Sequence, residues 1–563
     1  MVLIPIHLES PPNIQDRIVR IKEDLKDIEK FYHISISRTR ETRLREFCTE
    51  EISSLHEVNF ELLDQNGKVD YILLQNYLNR RLRNLDLQST LNKRADVLLS
   101  IYAPKITQIC ENRILVVPID AKKVAKELLQ AYEDTVSIMT RVQNATIGLD
   151  KPSAFRAARI IKELRGHLRE WYGFYNGYDP MFSWWMPSPY EQIDKSLGQL
   201  ADAILIEIVG INPNDQDAIV GEPIGRQGLL AELRAEMINY SPEEILQIGE
   251  KEREWCEAEL KKASQELGYG HDWKRALEYV KELYVEPGEQ PNLAHQLANE
   301  AVNFVRRYDL ITVPRLAEEL WQTFMISPER QKANPFFLGG RSIQVSYPTA
   351  DMTQTEKMMS LRGNNIHFTR AIVFHECIPG HHLQLFMNAR NRPYRQLFDT
   401  PFSVEGWALY WEMILWDDKR FHKTPENRMG MLFWRLHRCA RIVFSLNFHL
   451  RRMTAQQCVD YLVESVGHEP ASAEGEVRRS LSGDYPPLYQ VGYALGGLQL
   501  YSLRHDLVEG GFMTPKEFHD RFMLSNCMPI ELFRALCKGL PLSRDYSPIW
   551  RFYEHDLSQY DSN

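Results

Sequence analysis

The sequence predicts a mainly α-helical fold that forms one large body of two lobes. Apolar residues recur every three or four positions through most segments, as in residues 15–31 and 121–143, and this spacing is typical of amphipathic helices. The 563 residues contain no Ser/Gly/Pro-rich tract or block of charge that would mark a linker. With 44% hydrophobic and 25% charged residues, the chain is expected to fold throughout.

The helical spacing continues through residues 153–169, 190–209, 242–267 and 273–283, with Pro-rich turns such as 185–189 between segments. One stretch departs from it. Residues 341–347 alternate between polar and apolar side chains after Gly339-Gly340, which predicts a short β-strand. The edge of such a strand can bind an extended peptide through main-chain hydrogen bonds.

Charge and targeting signals exclude several classes of function. The net charge of -9 gives no reason to expect a nucleic acid or an anionic membrane as partner. Residues 1–12 lack the pattern of a signal peptide, and no apolar run approaches the roughly 18 to 20 residues of a membrane span. A cytoplasmic location is therefore expected. The eight cysteines form no CxxC pair, which indicates reduced thiols, and the oligomeric state stays open.

One stretch of the chain resembles a zinc motif with an unusual spacing. Zinc hydrolases often carry His-Glu-x-x-His on a helix, where both histidines bind the ion and the Glu activates a water. The residue four positions after His375 is instead Pro379. The stretch reads His375-Glu376-Cys377-Ile378-Pro379-Gly380-His381-His382.

A regular helix cannot build a metal site from these residues. At about 1.5 Å per residue, His375 and His382 would stand roughly 10 Å apart along the axis. Pro379 removes a backbone donor and clashes with the carbonyl four residues back, while Gly380 permits unusual dihedral angles. We therefore expect the helix to break at residues 378–380 and to resume near His381.

The two histidines after the break are alternative second ligands. His381 is preferred because it directly follows Gly380, as the second histidine does in His-Glu-x-Gly-His, and His382 would then lie behind the ligands or face the substrate. Glu405, inside an apolar and aromatic segment, is the candidate third ligand, because an unpaired carboxylate there would be costly. Glu412, seven residues on, is a candidate hydrogen-bond partner for a ligand.

Taken one at a time, these residues have a structural explanation, since a buried histidine is more often a core residue than a ligand. Their combination favours a metal. Zn²⁺ is the expected ion, and Glu376 is the expected base that takes a proton from water. No segment before about residue 290 suggests chemistry, so we predict an N-terminal helical lobe at 1–290 and a catalytic helical lobe at 291–563.

The motif resembles the signature of the domain-of-unknown-function 885 (DUF885) family. That signature is His-Glu-x-x-Pro-Gly-His-His-x-Gln followed by Glu-Gly-Trp-Ala-x-Tyr, and it corresponds to residues 375–384 and 405–410. The family is in turn remotely similar to helical His-Glu-x-x-His metallocarboxypeptidases and to angiotensin-converting-enzyme-like peptidases. The resemblance implies a metallopeptidase-like shell of two helical lobes, a deep cleft with zinc, and a small β element near the site.

The resemblance also implies roles for residues near the C-terminus. Tyr493 matches a tyrosine of the similar carboxypeptidases, which makes it the candidate donor to the oxyanion, with Tyr489 as the alternative. A buried tyrosine bonded to a carbonyl is the structural explanation. His449 matches a histidine of the family and shares a helix face with Arg441, whose guanidinium is suited to a terminal carboxylate. Residues 477–493 depart from the family pattern, which leaves the shape of the substrate pocket open.

The predicted function is a zinc-dependent hydrolase of peptide or amide bonds, acting on short peptides or amino-acid conjugates. Its catalytic residues are Glu376, Tyr493 and His449, its metal ligands are His375, His381 and Glu405, and its substrate-binding residues are Arg441, His382 and Tyr489. Two alternatives keep the same residues. Two histidines and one carboxylate can hold Fe(II) for oxygenation, and a protein with this fold can also bind without catalysing.

Overall fold

The computed structural model describes residues 13–215, 218–331, 340, 342–421, 423–483 and 485–553. Helices dominate this part of the chain, so the mainly α-helical prediction is confirmed. In chain order, helices α1 to α24 of the described residues are Ile14–Phe31, Arg38–His56, Gln65–Leu99, Ala103–Ile114, Ala121–Gln143, Lys151–Tyr175, Pro180–Trp185, Pro187–Ile204, Gly225–Ala235, Pro242–Glu266, Trp273–Lys281, Gln290–Arg307, Arg315–Leu320, Pro328–Gln331, Gln354–Gly363, Ile366–Glu376, His381–Asn388, Pro401–Asp417, Pro425–His449, Ala455–Val466, Pro470–Leu481, Tyr489–Arg504, Pro515–Ser525 and Ile530–Lys538.

Helix starts follow the local sequence closely. Asp120 accepts a hydrogen bond from the backbone N–H of Lys123 and so caps α5, which matches the predicted helix at 121–143. Ser241 and Glu244 form a capping box at the start of α10, where Pro242 is the first helical residue. These residue types satisfy the free N–H groups of a first turn, and proline has no N–H there to satisfy.

The β structure of the described residues is one short parallel pair. Strand β1, Thr323–Met325, pairs with β2, Ile343–Val345, and Thr323 stands opposite Ile343. The predicted strand at 341–347 is thus confirmed over its central residues. Gly339 and Arg341 lie outside the described residues.

Two compact units make up the chain. One contains the residues up to Asn59 together with Leu74–Glu222, and the other contains Phe60–Leu73 together with Pro223–Asn563. Residues 60–73 therefore belong to the second unit although they lie between two parts of the first unit in the chain. The whole metal motif belongs to the second unit.

Each unit has its own apolar core. In the first unit the core is built by α4 to α8 around side chains such as Trp171 and Phe182. In the second unit α10 packs on α19, and α18 packs on α22, with Phe402 and Leu495 among the residues between them. None of the helices in the described residues is long and apolar enough to cross a membrane.

Candidate metal centre

The predicted break in the motif helix is present. Helix α16 ends at Glu376, Cys377 has φ -106° and ψ -110°, and α17 begins at His381. The Ile378–Pro379 peptide bond is cis. A Cβ on Gly380 would lie 1.8 Å from the carbonyl oxygen of His375. Only glycine allows the backbone to fold back this closely, so there is a steric reason for glycine at the position after Pro379.

A tryptophan from the next helix holds the break in place. The Nε1–H of Trp407 donates to the carbonyl of Pro379 at 2.9 Å, and the Trp407 side chain is fully buried. Because Trp407 lies two residues after Glu405 on α18, the same helix turn positions the carboxylate and fixes the loop between the histidines. The Glu-Gly-Trp part of the signature therefore serves both purposes.

Helix α18 also approaches α22 unusually closely. A Cβ on Gly406 would lie 2.7 Å from the backbone of Gly496, and one on Gly496 would lie 2.3 Å from the carbonyl oxygen of Phe402. Glycines at such crossings let two backbones touch. This contact brings Tyr489 and Tyr493, at the start of α22, beside Glu405.

The three predicted ligands converge. One carboxylate oxygen of Glu405, Oε2, lies 3.1 Å from Nε2 of His381 and 3.4 Å from Nε2 of His375. Ligand atoms about 2.1 Å from a tetrahedral ion stand roughly 3.4 Å apart. The spacing of these atoms therefore suits a metal ion with two histidine ligands and one carboxylate ligand.

Glu412 fixes the orientation of the first histidine. The Nδ1–H of His375 donates to Oε1 of Glu412 at 2.7 Å, and both side chains are buried. With the proton on Nδ1, Nε2 keeps its lone pair on the side of Glu405. Carboxylates behind a histidine ligand commonly set its tautomer in this way. Arg438 lies 3.7 Å from the same Glu412 oxygen.

Glu376 lies beside the ligands and is also largely buried. Its Oε2 is 4.0 Å from Nε2 of His381, and ligand atoms of His375, Glu376 and His381 lie within 4.8 Å of one another. Glu405 is closer to both histidines than Glu376 is, so the geometry suits the prediction of Glu405 as third ligand and of Glu376 as the neighbouring base. Burial raises the pKa of Glu376, although both imidazoles oppose this effect, and a raised pKa suits a group that takes up a proton.

The electrostatics of the cluster favour a bound cation. Burial alone would lower the pKa of His375, but hydrogen bonds to Glu405 and Glu412 raise it to about 9. Burial likewise opposes ionisation of Glu405, yet both imidazoles hold the pKa of Glu405 well below its usual value. Without a metal, a proton on His375 supplies the positive charge that these buried carboxylates require. A divalent ion can supply the same charge.

Two tyrosines flank the carboxylate. The hydroxyl of Tyr489 donates to Oε1 of Glu405 at 2.5 Å, and the Tyr493 ring lies parallel to the His375 ring with centroids 6.2 Å apart. Burial, reinforced by the Glu405 charge, raises the pKa of both hydroxyls. Both therefore stay protonated and can act as donors. Tyr489 is the one in direct contact with a predicted ligand.

Arg441 lies near the cluster but already has a partner. Its Nε donates to Glu476 at 2.6 Å, and its guanidinium stacks 4.3 Å from the centre of the Tyr493 ring. Its Nη1 is buried and has no hydrogen-bond partner within the described part of the chain. Arg438 lies 5.4 Å from the same ring. The structure thus places two guanidiniums beside Tyr493, and only that of Arg441 was predicted to bind substrate.

The remaining two predicted residues are not drawn into the cluster. His382 donates from Nε2 to the carbonyl of Ala317 at 2.7 Å, so this nitrogen is turned toward α13 and away from Glu405. His449 lies eight residues after Arg441, about 12 Å farther along α19. Its ring packs on Phe448, its Nδ1 has no partner among the described residues, and burial lowers its pKa to about 4.

Three residues that support the ligands, the loop between them or Arg441 were not predicted from the sequence. Trp407, Arg438 and Glu476 act through partners 28, 26 and 35 positions away, so no local spacing marks them. One signal was available for Trp407, because it stands inside the signature itself.

The family of the chain follows from its match to a family model. The model described as "Bacterial protein of unknown function (DUF885)" matches residues 33–536. The chain belongs to the DUF885 family. The match covers both units of this DUF885 protein and includes the whole metal cluster. No curated protein matches the chain at a significant level.

Two solved structures share the fold of this DUF885 protein. The first, described as a "putative lipoprotein of unknown function from Shewanella oneidensis", has a TM-score of 0.68 at 15% identity and covers 93% of this chain and 100% of that chain. The second, the "putative lipoprotein from Colwellia psychrerythraea", has a TM-score of 0.60 at 16% identity and covers 93% of this chain and 98% of that chain. At such identities the likeness shows the fold alone.

Proposed function

We propose that this DUF885 protein is a zinc-dependent hydrolase that cleaves peptide or amide bonds in short peptides or amino-acid conjugates. The observation that carries the proposal is the meeting of Nε2 of His375 and Nε2 of His381 on one oxygen of Glu405. Glu376 stands beside this point and Glu412 stands behind it. The two His ligands, the carboxylate and the adjacent buried base are the parts that metal-assisted hydrolysis requires.

Each group of the centre would have its own role in hydrolysis. A bound zinc ion would polarise the amide carbonyl and make water more acidic. Glu376 would take a proton from the attacking water and pass it to the leaving amine, for which its raised pKa is suited. Tyr493 would donate a hydrogen bond from its hydroxyl to the oxyanion that forms when the carbonyl is attacked. Tyr489 is the alternative donor, but its hydroxyl would first have to leave Glu405.

Substrate binding is proposed for the guanidinium side of the site. Arg438 and Arg441 lie against the Tyr493 ring, and a guanidinium binds a carboxylate through two parallel hydrogen bonds. A free carboxylate on a short peptide would fit this side, which favours a carboxypeptidase-like or dipeptidase-like action. The neighbours' description as lipoproteins concerns those proteins, and the cytoplasmic location of this chain stays a prediction.

A peptide library tests the proposed function. Protein loaded with zinc should cleave short peptides, a chelator should abolish the cleavage, and added zinc should restore it. The Glu376→Gln variant keeps the ligands and serves as the matched control, so it should bind zinc but leave the library intact. Oxygen uptake that depends on iron, or activity unchanged in Glu376→Gln, would refute the hydrolase.

A further inference from the structure

A second group of metal-binding side chains lies in the first unit, away from the proposed hydrolase centre along the chain. Ligand atoms of His33, His167 and Glu170 all lie within 4.8 Å of one another. His167 and Glu170 are three residues apart on α6, so they share one helix face. His33 comes from the segment between α1 and α2. The His33 and His167 rings meet edge to face with centroids 4.9 Å apart.

A carboxylate orients one of these histidines. Nε2 of His167 lies 3.4 Å from Oε1 of Glu163, one helix turn earlier. Glu163 is held in turn by Ser35, whose backbone N–H donates to Oε1 at 3.2 Å and whose hydroxyl donates to Oε2 at 2.7 Å. Because Glu163 is an acceptor, the His167 proton belongs on Nε2, and this leaves the lone pair on Nδ1.

The other nitrogen of His167, Nδ1, is buried and makes no hydrogen bond to the described residues, although a buried polar atom normally has one. A histidine ligand commonly has one ring nitrogen held by a carboxylate and a free lone pair on the other, which is the state of His167. The pair Glu163 and His167 repeats the pair Glu412 and His375 of the proposed hydrolase centre.

We propose that His33, His167 and Glu170 form a second metal site, which is independent of the proposed hydrolase. Two imidazoles and one carboxylate suit zinc, cobalt, nickel or copper better than magnesium or calcium, which prefer oxygen ligands. The ion would bind the segment that carries His33 to α6. Since Ser35 and Glu163 already connect these parts, the ion adds a second tie to an existing contact and has a structural role.

Zinc stoichiometry tests the site without reference to activity. Equilibrium dialysis followed by elemental analysis should find two zinc ions per chain in the unmodified protein and one in His167→Ala. His33→Ala should also bind one ion, which covers the case that His167→Ala folds poorly. A variant with both His375→Ala and His381→Ala should keep the ion bound by His33, His167 and Glu170. His271→Ala, a change at an exposed histidine of the other unit, should keep both ions.

Two further readouts separate a metal site from a merely structural histidine pair. Cobalt bound to the variant with both His375→Ala and His381→Ala should give a d–d absorption band, and adding His33→Ala should abolish this band. In the same variant, adding Glu163→Gln should weaken zinc binding by about tenfold. Zinc should also slow hydrogen exchange in residues 32–37 of this double variant. No zinc bound to the variant with both His375→Ala and His381→Ala, or cobalt spectra of that variant that do not change in His33→Ala, would overturn the proposal.

Discussion

The two histidine–carboxylate clusters of this protein contain the same donor types in different surroundings. In the centre around His375, the side chains of His375, His381 and Glu405 are each at most 10% exposed. In the cluster around His167 the histidines are half-buried and Glu170 is exposed. Burial therefore sets how much each cluster would gain from a bound ion. Water can solvate the charges around His167, but it cannot solvate those around His375.

The difference extends to the supporting residues. Three buried or nearly buried carboxylates, Glu376, Glu405 and Glu412, surround the first pair of histidines. A carboxylate that is not a ligand can there act as a base on a substrate. The cluster around His167 has Glu163 as its orienting group, and Glu163 is already occupied by Ser35. This contrast favours catalysis at the buried cluster and a structural ion at the other.

The largest expected effect is the loss of catalysis when the buried base is neutralised. Glu376→Gln should lower kcat by roughly 1000-fold, because general base catalysis contributes about 100- to 10,000-fold, while zinc content stays at the wild-type level. Steady-state kinetics on a cleaved library peptide, with zinc measured on the same samples, checks this. Loss of zinc together with activity would instead make Glu376 a ligand. The centre around His375 would then have no free carboxylate to act as a base, like the cluster around His167.

The next effect concerns the backbone around each cluster. Gly380→Ala should destabilise the protein by about 3 kcal/mol, because overpacking of this kind costs roughly 1 to 3 kcal/mol and the new Cβ would meet the His375 carbonyl oxygen at 1.8 Å. Gly166, beside His167 on α6, is the matched control since nothing lies within 4 Å of its Cβ position. Gly166→Ala should stabilise by about 0.5 to 1 kcal/mol.

Denaturant unfolding of both variants, with zinc content measured alongside, gives the comparison. Gly380→Ala should also bind zinc poorly, because His381 directly follows the altered residue. Equal stability of the two variants would show that the close approach at the break is not required for the fold.

The features that could be predicted from the sequence are those set by nearby residues. The break could be predicted because Pro379 and Gly380 act on their own backbone, and the helix at 121–143 could be predicted from its apolar spacing. The choice of Glu405 followed from the cost of an unpaired carboxylate in an apolar helix, and the structure places it at both histidines.

The remainder depends on contacts between segments that are far apart in the chain. Nothing near His382 signals that its Nε2 bonds to the Ala317 carbonyl, and nothing near Arg441 signals its pairing with Glu476. Likewise, no composition change near residues 60–73 signals that this segment belongs to the second unit. His33 and His167 are 134 positions apart, so their cluster has no motif that a reader of the sequence could find.

A smaller effect should separate the two orienting carboxylates. Glu412→Ala should weaken zinc binding by about 100-fold, and Glu163→Ala by about tenfold, within the range observed when such partners are lost. The buried pair should lose more, since His375 would be left without a partner for Nδ1 in a site that water does not reach. Competition titrations with a zinc chelator measure both, each in a background where the other cluster is disabled. Equal losses would mean that burial does not set the difference between the clusters.

The smallest effect is a pH dependence that only the metal-free protein should show. The pKa of His375 is raised to about 9 by Glu405 and Glu412 against the opposing effect of burial, whereas the unfolded value is about 6.5. A raised folded pKa gives stability that is complete below pH 6.5 and is lost as pH rises through 9. Stability of the metal-free protein should therefore fall by about 2 kcal/mol between pH 7 and pH 9 from this group. Zinc-loaded protein should lack this component, because the ion would occupy Nε2 of His375 in place of the second proton. Thermal unfolding with and without chelator measures the difference, His375→Gln should remove it, and identical pH profiles for the two forms would show that His375 is neutral before zinc binds.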